Sequence, residues 1–256
     1  MTLHPDWLRP EWQTDGVGAL MTTRSGGVSL APFDSFNLRA VVGDDPRAVA
    51  QNRRLLAEAI GATPVYLNQV HGANVVRLGA ADLQADAPIH DADGSVTTEP
   101  GIACTAQVAD CLPVLFAAPG GRAVGAAHAG WRGLAAGVLE ATLAQVCDAA
   151  HCAPGEIQAW LGACIGPAQF EVGPDVLEAF GASPRANASP RFVAKGAGKW
   201  YADLPALACE RLLAAGVYAI DGGRWCTVSE PSRFFSFRRD RVTGRMAAVI
   251  WIDRRG

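Results

Sequence analysis

No apolar stretch in this 256-residue chain is long enough to span a bilayer as a helix, so a membrane location is not expected. Charge of either sign is scarce in excess: 22 Lys and Arg face 25 Asp and Glu, a formal net of −3. Without a basic surplus there is no reason to expect nucleic acid as a partner. The seven cysteines are odd in number and form no Cys-x-x-Cys pair. A disulfide framework is therefore not expected, and a cytoplasmic chain with reduced thiols is. The first residues, MTLHPDWLRPEW, carry prolines and charges where a secretory leader needs an apolar core. Internal repeats, low-complexity tracts and Ser/Gly linkers are also lacking. Half of the residues are hydrophobic and 18% are charged, which suits a soluble globular protein. One domain over residues 1–256 is expected.

What is present is an alternation of strand-like and helix-like segments, which argues an α/β or α+β fold. Residues 45–60 read as a helix, with Asp44 or Asp45 as cap, Pro46 in the first turn and Gly61 as stop. Val49, Leu56 and Ile60 share its apolar face, and Arg53 falls on that face, four residues after Val49. An arginine aimed inward needs an anion, a carboxylate or a carbonyl. Next, PVYLNQV and NVVRL read as strands around a break at His71-Gly72. GIACTAQVADCLPVLFAA holds two apolar runs interrupted at Ala109-Asp110-Cys111. AVGAAHA reads as a strand of small residues, followed by Gly130, Arg132 and Gly133 and one helix through Leu134, Val138, Leu139, Thr142 and Val146. A glycine turn entering a helix leaves N–H groups free for an oxyanion. Asp203 is a predicted cap for a helix ending at Gly216, RMAAVIWI is a terminal strand, and GASPRANASPR is a mobile surface loop.

Three short segments carry the chemistry: NQVHG, ADCLPV and AAHAGWRG. They set His71, Cys111 and His128 at the ends of apolar runs. Two imidazoles and one thiolate suit zinc, and three protein ligands with one open position make a catalytic rather than a structural site. The spacings, 111 − 71 = 40 and 128 − 111 = 17, match no compact finger. The same residues admit a cysteine nucleophile, with Cys111 attacking, His128 as base, and His71, Asp110 or Gln69 as orienting group. They also describe an electron-transfer copper site, but Met1, Met21 and Met246 lie outside these motifs and supply no axial ligand. Five histidines, with His4 and His151 peripheral, are too few for a multicopper centre.

The motifs MTTRSGGVS, FDSFNL, VGDDPRAVAQNRRLL, NQVHG, ADCLPVLF, AAHAGWRG, LGACIGPAQFEVG and FFSFRRDRVTGRMAAVIW run in order from about Gly18 to Trp251. Together they resemble the laccase-domain or multicopper polyphenol oxidase family, now regarded as zinc-dependent purine nucleoside phosphorylases with adenosine deaminase activity. The resemblance implies a layered α/β/β/α sandwich, similar to bacterial cysteine deamidase toxins. It implies zinc on His71, Cys111 and His128, with copper only as an adventitious metal. The implied substrates are inorganic phosphate and adenosine, inosine or methylthioadenosine, giving free base and ribose 1-phosphate. Some members are linked to editing of UDP-muramyl peptidoglycan precursors, an amide cleavage that the same Cys and His residues would suit. The loop WCTVSEPSRFFSF departs from the family, which more often has Tyr where Val228 stands.

On this reading Cys111, His128 and Arg53 are the catalytic candidates, with Arg53 the first candidate for phosphate. Arg24 in TTRSGG and Arg132 in GWRG are further anion candidates, against plainer readings as a turn arginine and a surface ion pair. Gln69 and Asn68 face the purine edge or orient ligands. Phe170 stacks on the base or packs in the core, and Glu171 protonates the leaving base or sits in a surface salt bridge. Gly130 and Gly133 allow close backbone approach or serve as ordinary turn glycines.

Overall fold

The structure, a computed structural model, describes residues 3–12, 14–183 and 190–253. The elements run β1 (Val17–Met21), α1 (Pro46–Ile60), β2 (Thr63–Val65), β3 (Val75–Arg77), β4 (Gly94–Thr97), β5 (Ile102–Val108), β6 (Leu112–Ala117) and β7 (Val124–Ala129). They continue with α2 (Trp131–Ala136), α3 (Val138–Ala150), β8 (Gln158–Leu161), β9 (Glu171–Val172), α4 (Pro174–Ala179), β10 (Phe192–Gly196) and β11 (Lys199–Ala202). The last are α5 (Leu204–Ala214), β12 (Ala219–Gly222), α6 (Phe237–Asp240) and β13 (Met246–Ile252).

Two sheets stack face to face. One has the order β1-β13-β5-β2 and the other β12-β8-β6-β7-β4-β3, with a small β10-β11-β9 sheet beside them. Strand alternation explains the stacking. On β13, Met246, Ala248, Ile250 and Ile252 enter the core between the sheets. Ala247, Val249 and Trp251 point the other way, onto Leu56 and Ile60 of α1. On β6, Leu115 and Ala117 face the other sheet. Leu112, Val114 and Phe116 lie under Leu139, Leu143 and Val146 of α3. The outcome is a layered mixed α/β fold, helix on sheet on sheet on helix. Because Val124 and Ala126 of β7 face the space between the sheets, His128, two residues on, faces it too.

The expected α1 forms with its signals in place. Asp45 accepts from the Arg47 N–H at 2.9 Å, Pro46 opens the helix, and Gly61 closes it at φ 66°. Asp203 caps α5 by accepting from the Ala206 N–H. The helix expected after AAHAGWRG is two helices. Gly137 breaks it at φ 94°, a left-handed conformation that stops α2 before α3 begins. The strand expected over PVYLNQV pairs with β5 only through β2, Thr63–Val65; the chain then leaves β5, makes an isolated bridge from Asn68 to Asp91 and builds the His71 turn. The core of the GASPRANASPR loop lies outside the described residues. No helix among the described residues is long and apolar enough to cross a membrane.

Candidate metal centre

The site is assembled around a buried acid that carries no obvious sequence signal. Asp93, just before β4, is 1% exposed. Its carboxylate accepts from the backbone N–H of Val70 at 3.2 Å, of His71 at 3.0 Å and of Gly72 at 2.7 Å. It also pairs with His128 Nδ1 at 2.8 Å. One carboxylate thus folds the turn bearing His71, which sits at φ 62°, and fixes the ring of His128 on β7. With Nδ1 engaged, His128 presents Nε2 to the cavity, the arrangement in which a carboxylate orients a ligating imidazole.

Cys111 is set by a second aspartate. Asp110 adopts φ 92° between β5 and β6. Its carboxylate accepts from the Thr227 hydroxyl and from the Arg238 N–H, both at 2.6 Å. The thiol then lies 3.9 Å from His71 Nε2, and the three donor atoms of His71, Cys111 and His128 lie within 4.8 Å of one another. Two tetrahedral ligands of one zinc ion are about 3.5 Å apart, so this donor set fits a single metal ion with one position open. The fit depends on Gly130. A Cβ there would stand 2.9 Å from the His71 ring and 3.1 Å from the Cys111 sulfur. At Gly133 a Cβ would meet the Gly72 carbonyl at 2.8 Å. Both glycines therefore serve close approach.

Without a metal the set is electrostatically coupled. Burial pushes the Cys111 thiol up, but the adjoining His128 imidazolium and the bonds to both histidines outweigh it and bring it down to about 6. Burial pushes His128 down, but the Cys111 thiolate and the Asp93 carboxylate outweigh it and raise it to about 9. Burial likewise raises Asp93, and its bonds from His128, Gly72 and His71 bring it below the usual carboxylate range. In the metal-free protein iodoacetamide is expected to label Cys111 with a rate that rises through about pH 6. Cys104 is pushed up to about 12 and Cys147 to about 11 by burial, so they stay protonated over that range. Peptide mass spectrometry of the labelled chain checks this. A Cys111 rate that climbs only near pH 8.5, the ordinary thiol value of about 8.5, would contradict the ion pair, and bound metal should suppress labelling.

Two clefts meet at the donors, since His71 and Cys111 line both. The first, about 310 Å³, is walled by Trp131, Ile165, Phe170 and Leu204, with Arg132, Arg238 and Arg241 at its edge. The second, about 290 Å³, is walled by Arg39, Gln69, Gln107, His128 and Arg245. Phe237 of α6 stands between them, lining each.

The remaining sequence candidates divide. Phe170 lines the first cleft, with the Arg238 guanidinium 5.6 Å from its ring centre. Arg132 lines it too and lies over the Trp131 ring at 4.2 Å rather than in a surface ion pair. Gln69 lines the second cleft, but its amide is held in two 2.8 Å bonds to the Gln107 backbone. Arg53 does not reach either cleft. It donates to the Leu38 carbonyl at 2.8 Å and covers the Tyr66 ring, so its inward face meets a carbonyl rather than the open site. Arg24 is elsewhere, bracing a turn through Asp34 and the Pro231 carbonyl. Glu171 pairs with Lys195, and Asn68 donates to Asp91. Sequence reasoning missed Asp93, Arg39, Arg245, Arg238 and Phe237. For Phe237, Arg238 and Arg245 a signal, the run FRRD next to GR in the motif FFSFRRDRVTGRM, was present but unassigned to the site, whereas Asp93 and Arg39 carried none.

Fold and site define a class: a layered α/β protein with a His-Cys-His set able to hold a metal ion where two clefts meet. A family model described as multi-copper polyphenol oxidoreductase laccase matches residues 18–253, and the chain belongs to that family. It is 50% identical over 250 residues to a purine nucleoside phosphorylase of Pseudomonas aeruginosa, covering 96% of this chain and 98% of that one. It is 48% identical to a purine nucleoside phosphorylase of Escherichia coli, covering 95% and 97%. Among solved structures, a Neisseria meningitidis protein matches with a TM-score of 0.88 at 45% identity, over 97% of this chain and all of that one. The YlmD protein of Geobacillus stearothermophilus matches at 0.88 and 34% identity, covering 99% and 98%.

Proposed function

We propose that the protein is a zinc-dependent purine nucleoside phosphorylase of the cytoplasm, acting as one domain on adenosine or inosine. The observation that carries this reading is the meeting of two unlike clefts at one donor set. The first offers the apolar and aromatic walls that a purine needs. The second offers cationic and amide groups, suited to an anion. The relatives named as phosphorylases align along almost the whole chain and support the same reading.

In phosphorolysis a phosphate oxygen bonds to C1′ as the C1′–N9 bond breaks. The bonding pair leaves with the purine, and the proton of hydrogen phosphate ends on the base. C1′ becomes oxocarbenium-like on the way, as in glycoside cleavage. His71, Cys111 and His128 would hold the zinc ion, which would supply Lewis acidity there. The chain supplies position: Phe170 and Ile165 hold the base away from water, and Asp93 keeps His128 in the tautomer that presents Nε2.

Product analysis tests this. Zinc-loaded protein is expected to convert adenosine to adenine and ribose 1-phosphate only when phosphate is present. Inosine and ammonia formed without phosphate would instead mark a deaminase. The Cys111–His128 ion pair also favours a second reading, amide cleavage of a UDP-muramyl precursor. No nucleoside product under any condition would reject the phosphorylase and leave that hydrolase as the candidate.

A further inference from the structure

The second cleft holds an unbalanced charge. Arg39 and Arg245 both line it, and neither has a carboxylate within ion-pair distance among the described residues. The Arg39 guanidinium makes no hydrogen bond to the described residues; only its backbone is bonded, its N–H donating to Asn37 Oδ1 and its carbonyl accepting from Asn37 Nδ2. Arg245 uses Nη1 on the carbonyls of Thr243 and Gly244, each at 3.0 Å, and leaves Nε and Nη2 for another acceptor. The nearby acids are already engaged. Asp93 serves four donors, and Asp110 holds Thr227 and the Arg238 N–H.

Both arginines are half-buried, and burial makes each harder to keep charged. Arg39 disfavours the charge on Arg245 further; Cys111 and Asp110 act the other way on Arg245, and Asp93 on Arg39, but do not outweigh burial. Arg53, behind the cleft wall, is also disfavoured by Arg39 after burial. Unpaired cations gathered in a partly desolvated cleft are costly unless an anion joins them. A planar guanidinium offers parallel N–H donors matched to the oxygens of a tetrahedral anion.

We propose that Arg39 and Arg245 form the subsite for inorganic phosphate, on the opposite side of the donor set from the apolar cleft. This rests on the phosphorolytic reading for its role but not for its binding chemistry. It fixes the orientation of the substrates. Phosphate enters beside His128, and the purine lies against Phe170 and Ile165, with the sugar between them at His71 and Cys111. It also replaces Arg53 and Arg24 as the groups that touch phosphate, leaving Arg53 to support the wall through the Leu38 carbonyl, which Gln107 also bonds.

The experiment is calorimetric titration of inorganic phosphate into zinc-loaded protein, with zinc content and melting temperature checked for every variant. Arg39→Gln and Arg245→Gln are each expected to weaken phosphate binding about tenfold or more. Arg39→Lys should recover part of the loss, and Arg77→Gln, on the far edge of the sheet, should bind as the wild type does. A second measurement needs no variant. Phosphate should protect Arg39 and Arg245 from phenylglyoxal, read by peptide mass spectrometry. Wild-type affinity in the Gln variants, or unprotected arginines at saturating phosphate, would overturn the subsite. If phosphate binds through these arginines but no ribose 1-phosphate forms from any nucleoside, the subsite stands and the phosphorylase reading falls.

Discussion

Cys111→Ala is expected to strip the bound metal and to lower kcat/KM for adenosine phosphorolysis by more than about 100-fold. Loss of a mere supporting partner of a ligand costs about 10–100-fold, and here a donor itself is lost. Two imidazoles 4.8 Å apart between ring centres remain, with nothing to close the third side. The same substitution would also silence a cysteine nucleophile, so a second variant separates the roles. Cys111→His offers a three-histidine set of the kind that holds catalytic zinc. Retained metal with measurable turnover in Cys111→His makes Cys111 a ligand. Retained metal with none makes the sulfur chemically necessary, which favours amide hydrolysis over phosphorolysis.

The second large effect is at Asp93. Asp93→Ala removes the acceptor for three backbone N–H groups and for the His128 ring. Breaking a buried charge-assisted cluster of this kind costs about 3–5 kcal/mol, a fall in melting temperature of roughly 10 °C for a chain of this size. Metal affinity should fall about 10–100-fold, since the His71 turn and the His128 tautomer lose their reference together. The pH profile of metal-free stability carries the sign. Asp93 is held below the usual carboxylate range, so its contribution is full above about pH 4 and is lost as the pH falls further. His128 is raised to about 9, so its contribution is full below about pH 6.5 and is lost as the pH rises through about 9. In Asp93→Ala the acid limb should flatten, while the alkaline limb should shrink but persist, because Cys111 also raises His128. Scanning calorimetry across pH measures this, and an unchanged acid limb would contradict the role given to Asp93.

The parts of the fold that were legible in the sequence are those whose signals are local. α1 announces itself by Asp45, Pro46 and Gly61, and β13 by an unbroken apolar run. The Gly137 break was hidden because a single glycine in a helical pattern is as often tolerated as not. His71, Cys111 and His128 were legible because imidazole and thiol beside small residues are chemically distinctive. Asp93 was not, since an acid in HDADG reads as a solvated turn, and only the tertiary fold buries it. Arg53 was misplaced for a related reason. Helical spacing gives its face, but the length of the side chain and the Leu38 carbonyl decide where the charge stops. Arg39 and Arg245 sit in loops, where sequence alone treats arginine as solvent-facing.

The wide spacing of the donors has one further consequence. Zinc fingers recruit their ligands from a short stretch and order themselves only around the ion. Here the turn at His71, the strand of His128 and the bend at Cys111 are gathered by sheet packing and by two aspartates. The conformational entropy of bringing them together is therefore settled when the chain folds, before any metal arrives. Occupancy and foldedness become separate variables, and the ion is free to be tuned for chemistry rather than for architecture.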